Sequence, residues 1–104
     1  MMRIMRLLVM FDLPTGSRTE RKSYAAFRKF LISDGYHMEQ FSVYSRILLS
    51  RDSRETHIKR LKANLPESGA ITVLTLTESR EILIETRKNP AADIDLGAQL
   101  TLAF

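Results

Sequence analysis

The chain has 104 residues, 44% of them hydrophobic and 27% charged, which is room for one compact domain with a core and little for a second. The absence of cysteine excludes disulfides, thiolate catalysis, Cys-ligated zinc and iron–sulfur clusters, and suits a reducing compartment, the cytoplasm. The net charge of +4 is unevenly spread: residues 1–62 carry 13 basic and 6 acidic side chains, residues 63–104 carry 3 and 6, which suggests a polyanion-facing surface in the first part, with ordinary solvation as the alternative.

Arg3 and Arg6 followed by Leu7 to Phe11 have the outline of a secretory leader. The apolar run is too short, however, Asp12 and Pro14 end it, and no stretch approaches the roughly 20 apolar residues of a membrane span. Met5 to Leu13 instead reads as a central strand buried on both faces. After the Pro14-Thr15-Gly16 loop, Ser17 and Glu20 form a capping box, predicting a helix from Arg18 to about Asp34 with Gly35 as its stop. At 100° per residue, Ala26, Phe27, Phe30 and Leu31 share one arc with Tyr24 at its edge. Arg18, Arg21, Lys22, Arg28 and Lys29 share the opposite arc.

His37 to Gln40 and Val43 to Ser50 read as two strands joined by a tight turn at Phe41 and Ser42. Asp52 and Ser53 are cap-type residues before a second helix marked by Ile58, Leu61 and Leu65, and Ala70 to Thr77 is a further strand. The order βαββαβ defines an α+β, ferredoxin-like domain, an antiparallel four-stranded sheet with both helices on one face. Glu81 to Arg87 adds a fifth strand that this unit does not require. The domain therefore spans residues 1–87. Residues 88–104 form a weakly patterned C-terminal tail in which Leu100, Leu102 and Phe104 alternate and could extend a partner's sheet.

Asp12 is the candidate for chemistry, because a carboxylate at the end of a rigid strand can project into a cleft. One carboxylate is a sparse ligand set for a hard cation, which a second copy of Asp12 across a two-fold axis would complete. The alternative is a turn or cap residue. The cationic arc of the first helix fits successive phosphates of a nucleic acid, with ordinary solvation as the alternative. His37 and His57 lack metal-ligand spacing and receive no role. No phosphate-binding Gly-rich loop, Gly-x-Ser-x-Gly elbow or aromatic RNA-binding stretch on the third strand is present.

Leu7-Leu8-Val9-Met10-Phe11-Asp12-Leu13, the Arg-rich helix ending at Gly35, and Gln40-Phe41-Ser42-Val43-Tyr44 together resemble one family over residues 5 to 87. It is the family of small CRISPR-associated adaptation proteins, the non-integrase partner in spacer acquisition. The resemblance implies a homodimer whose fifth strand crosses to the partner protomer's sheet. It implies Asp12 as the catalytic and Mg2+- (or Mn2+-) binding residue, with Phe11, Arg18, Arg21 and Tyr44 near it. It also implies metal-dependent endonuclease activity on RNA or double-stranded DNA, and a bridge between two dimers of the CRISPR integrase that holds duplex protospacer DNA. No membrane partner is implied. The alternative is a non-catalytic dimeric scaffold in which Asp12 is structural.

Overall fold

The computed structural model describes residues 4–77 in full and, beyond them, the backbone of strands at 81–87 and 95–101. The elements are β1 (Met5–Asp12), α1 (Arg18–Ser33), β2 (His37–Gln40), β3 (Val43–Leu48), α2 (Arg51–Ala63), β4 (Ala70–Leu76), β5 (Glu81–Arg87) and β6 (Asp95–Thr101). They build one antiparallel sheet in the order β2-β3-β1-β4-β5-β6. Within it β3 lies between β1 and β2, and β1 lies between β3 and β4, so each helix crosses over one strand. That is the predicted ferredoxin-like arrangement.

Alternation along the strands sets the layers. Met5, Leu7, Val9 and Phe11 of β1 are buried, as are Ile71, Val73 and Thr75 of β4. The apolar members join Phe27 and Leu31 of α1 and Ile58 and Leu61 of α2 in one cluster, so both helices cover the same face. Each such side chain, fully buried, contributes about 1.5–3 kcal/mol. The positions between them, Leu8 and Met10 on β1 and Thr72, Leu74 and Leu76 on β4, are only half-buried. β1 is thus covered on one face, not on both as its apolar run implies, because nothing in the described chain lies over the other.

The capping box forms as read: Ser17 Oγ accepts from Glu20 N at 3.1 Å, and Ser17 N donates to Glu20 Oε1 at 2.9 Å. α1 stops at Gly35, whose φ of 92° lets Tyr36 N turn back onto Leu31 O. Ala26 is exposed, since it stands one step round the helix from Phe27 and beyond the reach of the sheet. α2 begins earlier than Asp52 and Ser53 suggest, because Ser50 takes the cap by accepting from Ser53 N; β3 accordingly ends at Leu48. The β2–β3 turn contains no glycine, and Ser42 itself takes the left-handed conformation at φ 63°.

The fifth strand departs from expectation. It pairs with β4 of its own chain, from Leu76↔Ile82 to Ile71↔Arg87, and β6 adds to it within the stretch read as a tail. β4 offers an open edge, and the next strand in sequence reaches it across residues 77–80 alone; the same edge groups would serve a partner's strand. Leu102 and Phe104 of the predicted alternation lie outside the described residues. No helix among the described residues is long and apolar enough to cross a membrane.

Candidate functional site

Asp12 closes β1 opposite Ala70 of β4 and is exposed. Strand alternation puts it on the sheet face away from the helices, in line with Leu8 and Met10. On β3 the same face carries Val43 and Ile47, and on β4 it carries Leu74 and Leu76. Among the described residues no hydrogen bond or ion pair engages the Asp12 carboxylate. It lies at a shallow groove of about 290 Å³, bounded also by Phe41, Ser42, Val43, Ala70 and Thr72.

The strand end is held from behind. Phe11 N donates to Ser42 O at 3.1 Å, tying β1 to the β2–β3 turn. The Phe11 ring meets Tyr24, Phe27 and Tyr44 at centroid distances of 5.7, 5.2 and 5.7 Å, the last stacked at 24°. Phe11 and Tyr44, both expected near the site, therefore point their rings into the core on the opposite side of the sheet from Asp12. They stiffen the backbone that carries the carboxylate. Tyr24 Oη lies 3.3 Å from Ser42 Oγ, and the Tyr24 ring also backs Phe41.

Arg18, Arg21, Lys22, Arg28 and Lys29 are all exposed on α1, as predicted. Two of them are also anchored. Arg21 Nη1 donates to Thr15 O at 3.3 Å, holding its guanidinium against the loop that follows Asp12. Arg28 Nε donates to the buried Tyr44 Oη at 2.8 Å, so this side chain leans toward β3 and leaves the outer stripe for the sheet side of the helix. No described residue pairs with Arg18, Lys22 or Lys29.

Two further polar clusters escaped the sequence reading because their members are far apart along the chain. The Asp34 carboxylate, 8% exposed, binds His57 Nδ1 at 2.8 Å and Arg60 Nη1 at 2.9 Å, joining the end of α1 to α2. Arg46 donates to Asp34 O and caps the same helix end. His57 is thus an internal brace. On the open face, Glu39 accepts from Ser45 Oγ at 2.6 Å and lies 2.8 Å from His37 Nε2 and 3.5 Å from Arg6. Donation from Ser45 is the main reason the Glu39 carboxyl titrates below the usual range, with His37 and Arg6 adding to it. Burial, reinforced by the Asp34 charge, pushes the Tyr36 phenol well above the usual tyrosine range.

Phe41, read in the sequence as part of the tight turn and of the Gln40 to Tyr44 motif, was given no role of its own. It sits between Gln40 and Ser42 at a hairpin tip and is 82% exposed. An aromatic residue at a tight turn was the available signal.

Among the described residues no three His, Cys, Asp or Glu side chains converge as a metal site. The donor set fits a hard cation in kind, an exposed carboxylate oxygen free of competing cations. In number, one chain contributes a single such ligand.

These features define a class: a ferredoxin-like domain with one solvent-facing carboxylate at the end of its central strand and a cationic crossover helix. The profile of the family described as CRISPR associated protein Cas2 matches residues 5–81, and the chain belongs to that family. It is 54% identical over 76 residues to the CRISPR-associated endoribonuclease Cas2 of Acidovorax ebreus, covering 73% of this chain and 74% of that one. It is 53% identical over 76 residues to the protein of the same name from Streptococcus mutans, covering 73% and 70%. To that of Parvibaculum lavamentivorans it is 46% identical over 100 residues, 92% of this chain and 99% of the relative.

Proposed function

We propose that this protein is a metal-dependent endonuclease of CRISPR adaptation, cutting phosphodiester bonds of RNA or double-stranded DNA at a centre formed by two copies of Asp12. The observation that carries the reading is the unengaged Asp12 carboxylate, exposed at the end of a stiffened strand beside a groove. The names of the relatives, endoribonucleases, support RNA as a substrate. The half-buried Leu8, Met10, Leu74 and Leu76 around the same face support a homodimer packed sheet to sheet, which would bring the two carboxylates together.

In this reading the Asp12 carboxylates of the two chains would hold a shared Mg2+ or Mn2+. The chemistry supplied by the ion when bound is neutralisation of phosphate charge and activation of a water. Phe11 and Tyr44 keep the strand end from moving, and Arg21, pinned to Thr15 O, offers a cation at the entrance to α1. Arg18, Lys22 and Lys29 supply the phosphate contacts with which the protein holds duplex protospacer DNA while bridging two integrase dimers in the cytoplasm.

The exposed cations, together with one carboxylate per chain, favour a second reading in which the dimer is a scaffold and Asp12 is structural. Cleavage of RNA and duplex DNA by wild type and Asp12→Ala, with and without Mg2+ or Mn2+, separates the two. Both proteins must first be shown to fold and to have the same oligomeric state. Metal-dependent cutting lost only in the variant is the expected result. Duplex binding without cutting by either protein would overturn the nuclease reading and leave the scaffold.

A further inference from the structure

Ala26 belongs by its position to the apolar arc of α1, yet it is exposed. It stands one turn from Lys22 and one from Phe30, and because it has nothing beyond Cβ it leaves a hollow between them. The chain leaving α2 supplies the other side. Leu65 and Pro66, both half-buried, line with Ala26 and Phe30 a groove of about 390 Å³, larger than the one beside Asp12. Phe30 and Leu65 pack on the core cluster, so the floor is an outward extension of the core, and Pro66 brings no N–H to it. The two lips differ in charge. Lys22 stands on the α1 lip and Glu67 on the other. Arg18 and Lys29 share the ridge of Lys22, and no described residue pairs with any of these cations.

We infer that this groove docks an acidic, apolar-anchored peptide segment of another protein, with its apolar side chain over Ala26 and its carboxylates on the α1 lip. Charge complementarity selects the acid: the α1 ridge presents Arg18, Lys22 and Lys29, against Glu67 alone across the groove. The floor selects a protein. It is alkyl and ring surface continuous with the core, and the Phe30 ring already lies against Phe27 with centroids 6.4 Å apart and planes 29° from parallel. A sugar–phosphate backbone has no apolar side chain to fill such a floor. A second copy is not the occupant, because the groove lies in the helix layer, on the opposite side of the sheet from Leu8 and Met10, where the proposed dimer packs.

An apolar centre with a charged rim is the composition of a small protein interface. Its consequence is competition. Carboxylates seated on Lys22 displace the phosphates that the reading above gives to the same lysine, so a docked protein and a held duplex exclude each other on this helix. The competition rests on that reading; the docking does not.

The test is titration of the full-length chain with three capped peptides, followed by NMR at the Phe30 and Leu65 amides. The peptides are Glu-Glu-Leu-Phe, its basic counterpart Lys-Lys-Leu-Phe, and Glu-Glu-Ser-Phe, which lacks the Leu anchor. The first is expected to bind, the second not, and the third to lose about 10- to 150-fold. Lys22→Ala should cost the first peptide about 2- to 5-fold. Ala26→Trp, which fills the hollow from an exposed position, should abolish its binding with no change in circular dichroism or oligomeric state. Equal binding of the basic peptide, no shift with any peptide at millimolar concentration, or unchanged binding by Ala26→Trp would overturn the docking site. So would a change of oligomeric state in Ala26→Trp, which would make a second copy the occupant. A short RNA that shifts the same amides, and no longer does so in Ala26→Trp, would overturn it too, since the groove would then take nucleic acid. If Ala26→Trp does not fold, Ala26→Leu and the Ser peptide carry the same decision. Peptide binding that duplex DNA does not weaken would leave the docking site standing and remove the phosphate contact given to Lys22.

Discussion

Gly69 offers the sharpest test of how the candidate site is supported. It precedes β4, has φ of 101°, and packs directly against the end of β1. A Cβ at this position would lie 2.6 Å from Leu13 Cδ2, 2.7 Å from Asp12 O and 3.1 Å from Leu13 Cα. The Leu13 methyl can rotate away, but the other two are backbone atoms, so Gly69→Ala must push the strand ends apart. Left-handed backbone in an L-residue costs about 1–2 kcal/mol, and overpacking about 1–3 kcal/mol more, giving a loss of about 2–5 kcal/mol. That is a large share of the about 5–15 kcal/mol that holds a domain together. Gly16, in the loop on the other side of Asp12, is the control. A Cβ there meets only Glu20 Oε1, at 3.4 Å, so Gly16→Ala should be neutral or stabilise by up to about 1 kcal/mol through the unfolded chain. Urea unfolding followed by circular dichroism measures both. A Gly69→Ala protein within about 0.5 kcal/mol of wild type, the range of an ordinary surface change, would refute the packing argument, as would an equal loss from Gly16→Ala.

Asp34→Ala removes both ties between α1 and α2. The Arg60 arm is 55% exposed and screened by solvent, so the cost should come mainly from the His57 bond and reach about 1–3 kcal/mol in the same unfolding assay. Glu39 titrates below its usual range when folded, so it stabilises the fold above its unfolded pKa, and that contribution is lost as pH falls through the folded value. Glu39→Gln should flatten the acid limb of stability against pH; an unchanged limb would contradict the Ser45 and His37 contacts. The Tyr36 phenol, raised by burial, stabilises the fold below the unfolded value of about 10 and loses that contribution as pH rises through the folded value. Its hydroxyl has no hydrogen-bond partner among the described residues, so Tyr36→Phe should cost little at neutral pH and remove the alkaline loss seen in wild type.

What could be read in advance follows the range of the interactions involved. The Ser17 and Glu20 cap, the Gly35 stop, the Phe27 and Leu31 stripe and the exposed α1 cations are set by neighbours a few residues away, and all stand where the pattern put them. Asp12 was readable because the end of an apolar run is the end of a strand. The Asp34–His57 and Arg28–Tyr44 contacts join residues 23 and 16 positions apart, and no local pattern announces which partner the fold will deliver. The Ser50 cap was missed because three serine or aspartate residues compete within four positions, and only the exit of β3 decides among them. The pairing of β5 depends on which open edge is nearest, a property of the assembled sheet.

The open face explains why a lone carboxylate is informative here. An antiparallel sheet with one solvated side alternates apolar inward with polar outward. β1 and β4 do so only in part: beside the polar Thr72 they place Leu8, Met10, Leu74 and Leu76 on the open face, with charge confined to Arg6 and Asp12 at the two ends of β1. A turn residue at the strand end would need no apolar surround, and a solvated sheet would not carry one. Polarity at the rim and hydrophobic surface between is the composition of a surface that another layer covers. Under such a layer the field of Asp12 would be screened less than in open water, which strengthens its hold on a cation. On the dimer reading, the packing that covers Leu8 and Met10 and the chemistry of Asp12 therefore depend on the same contact.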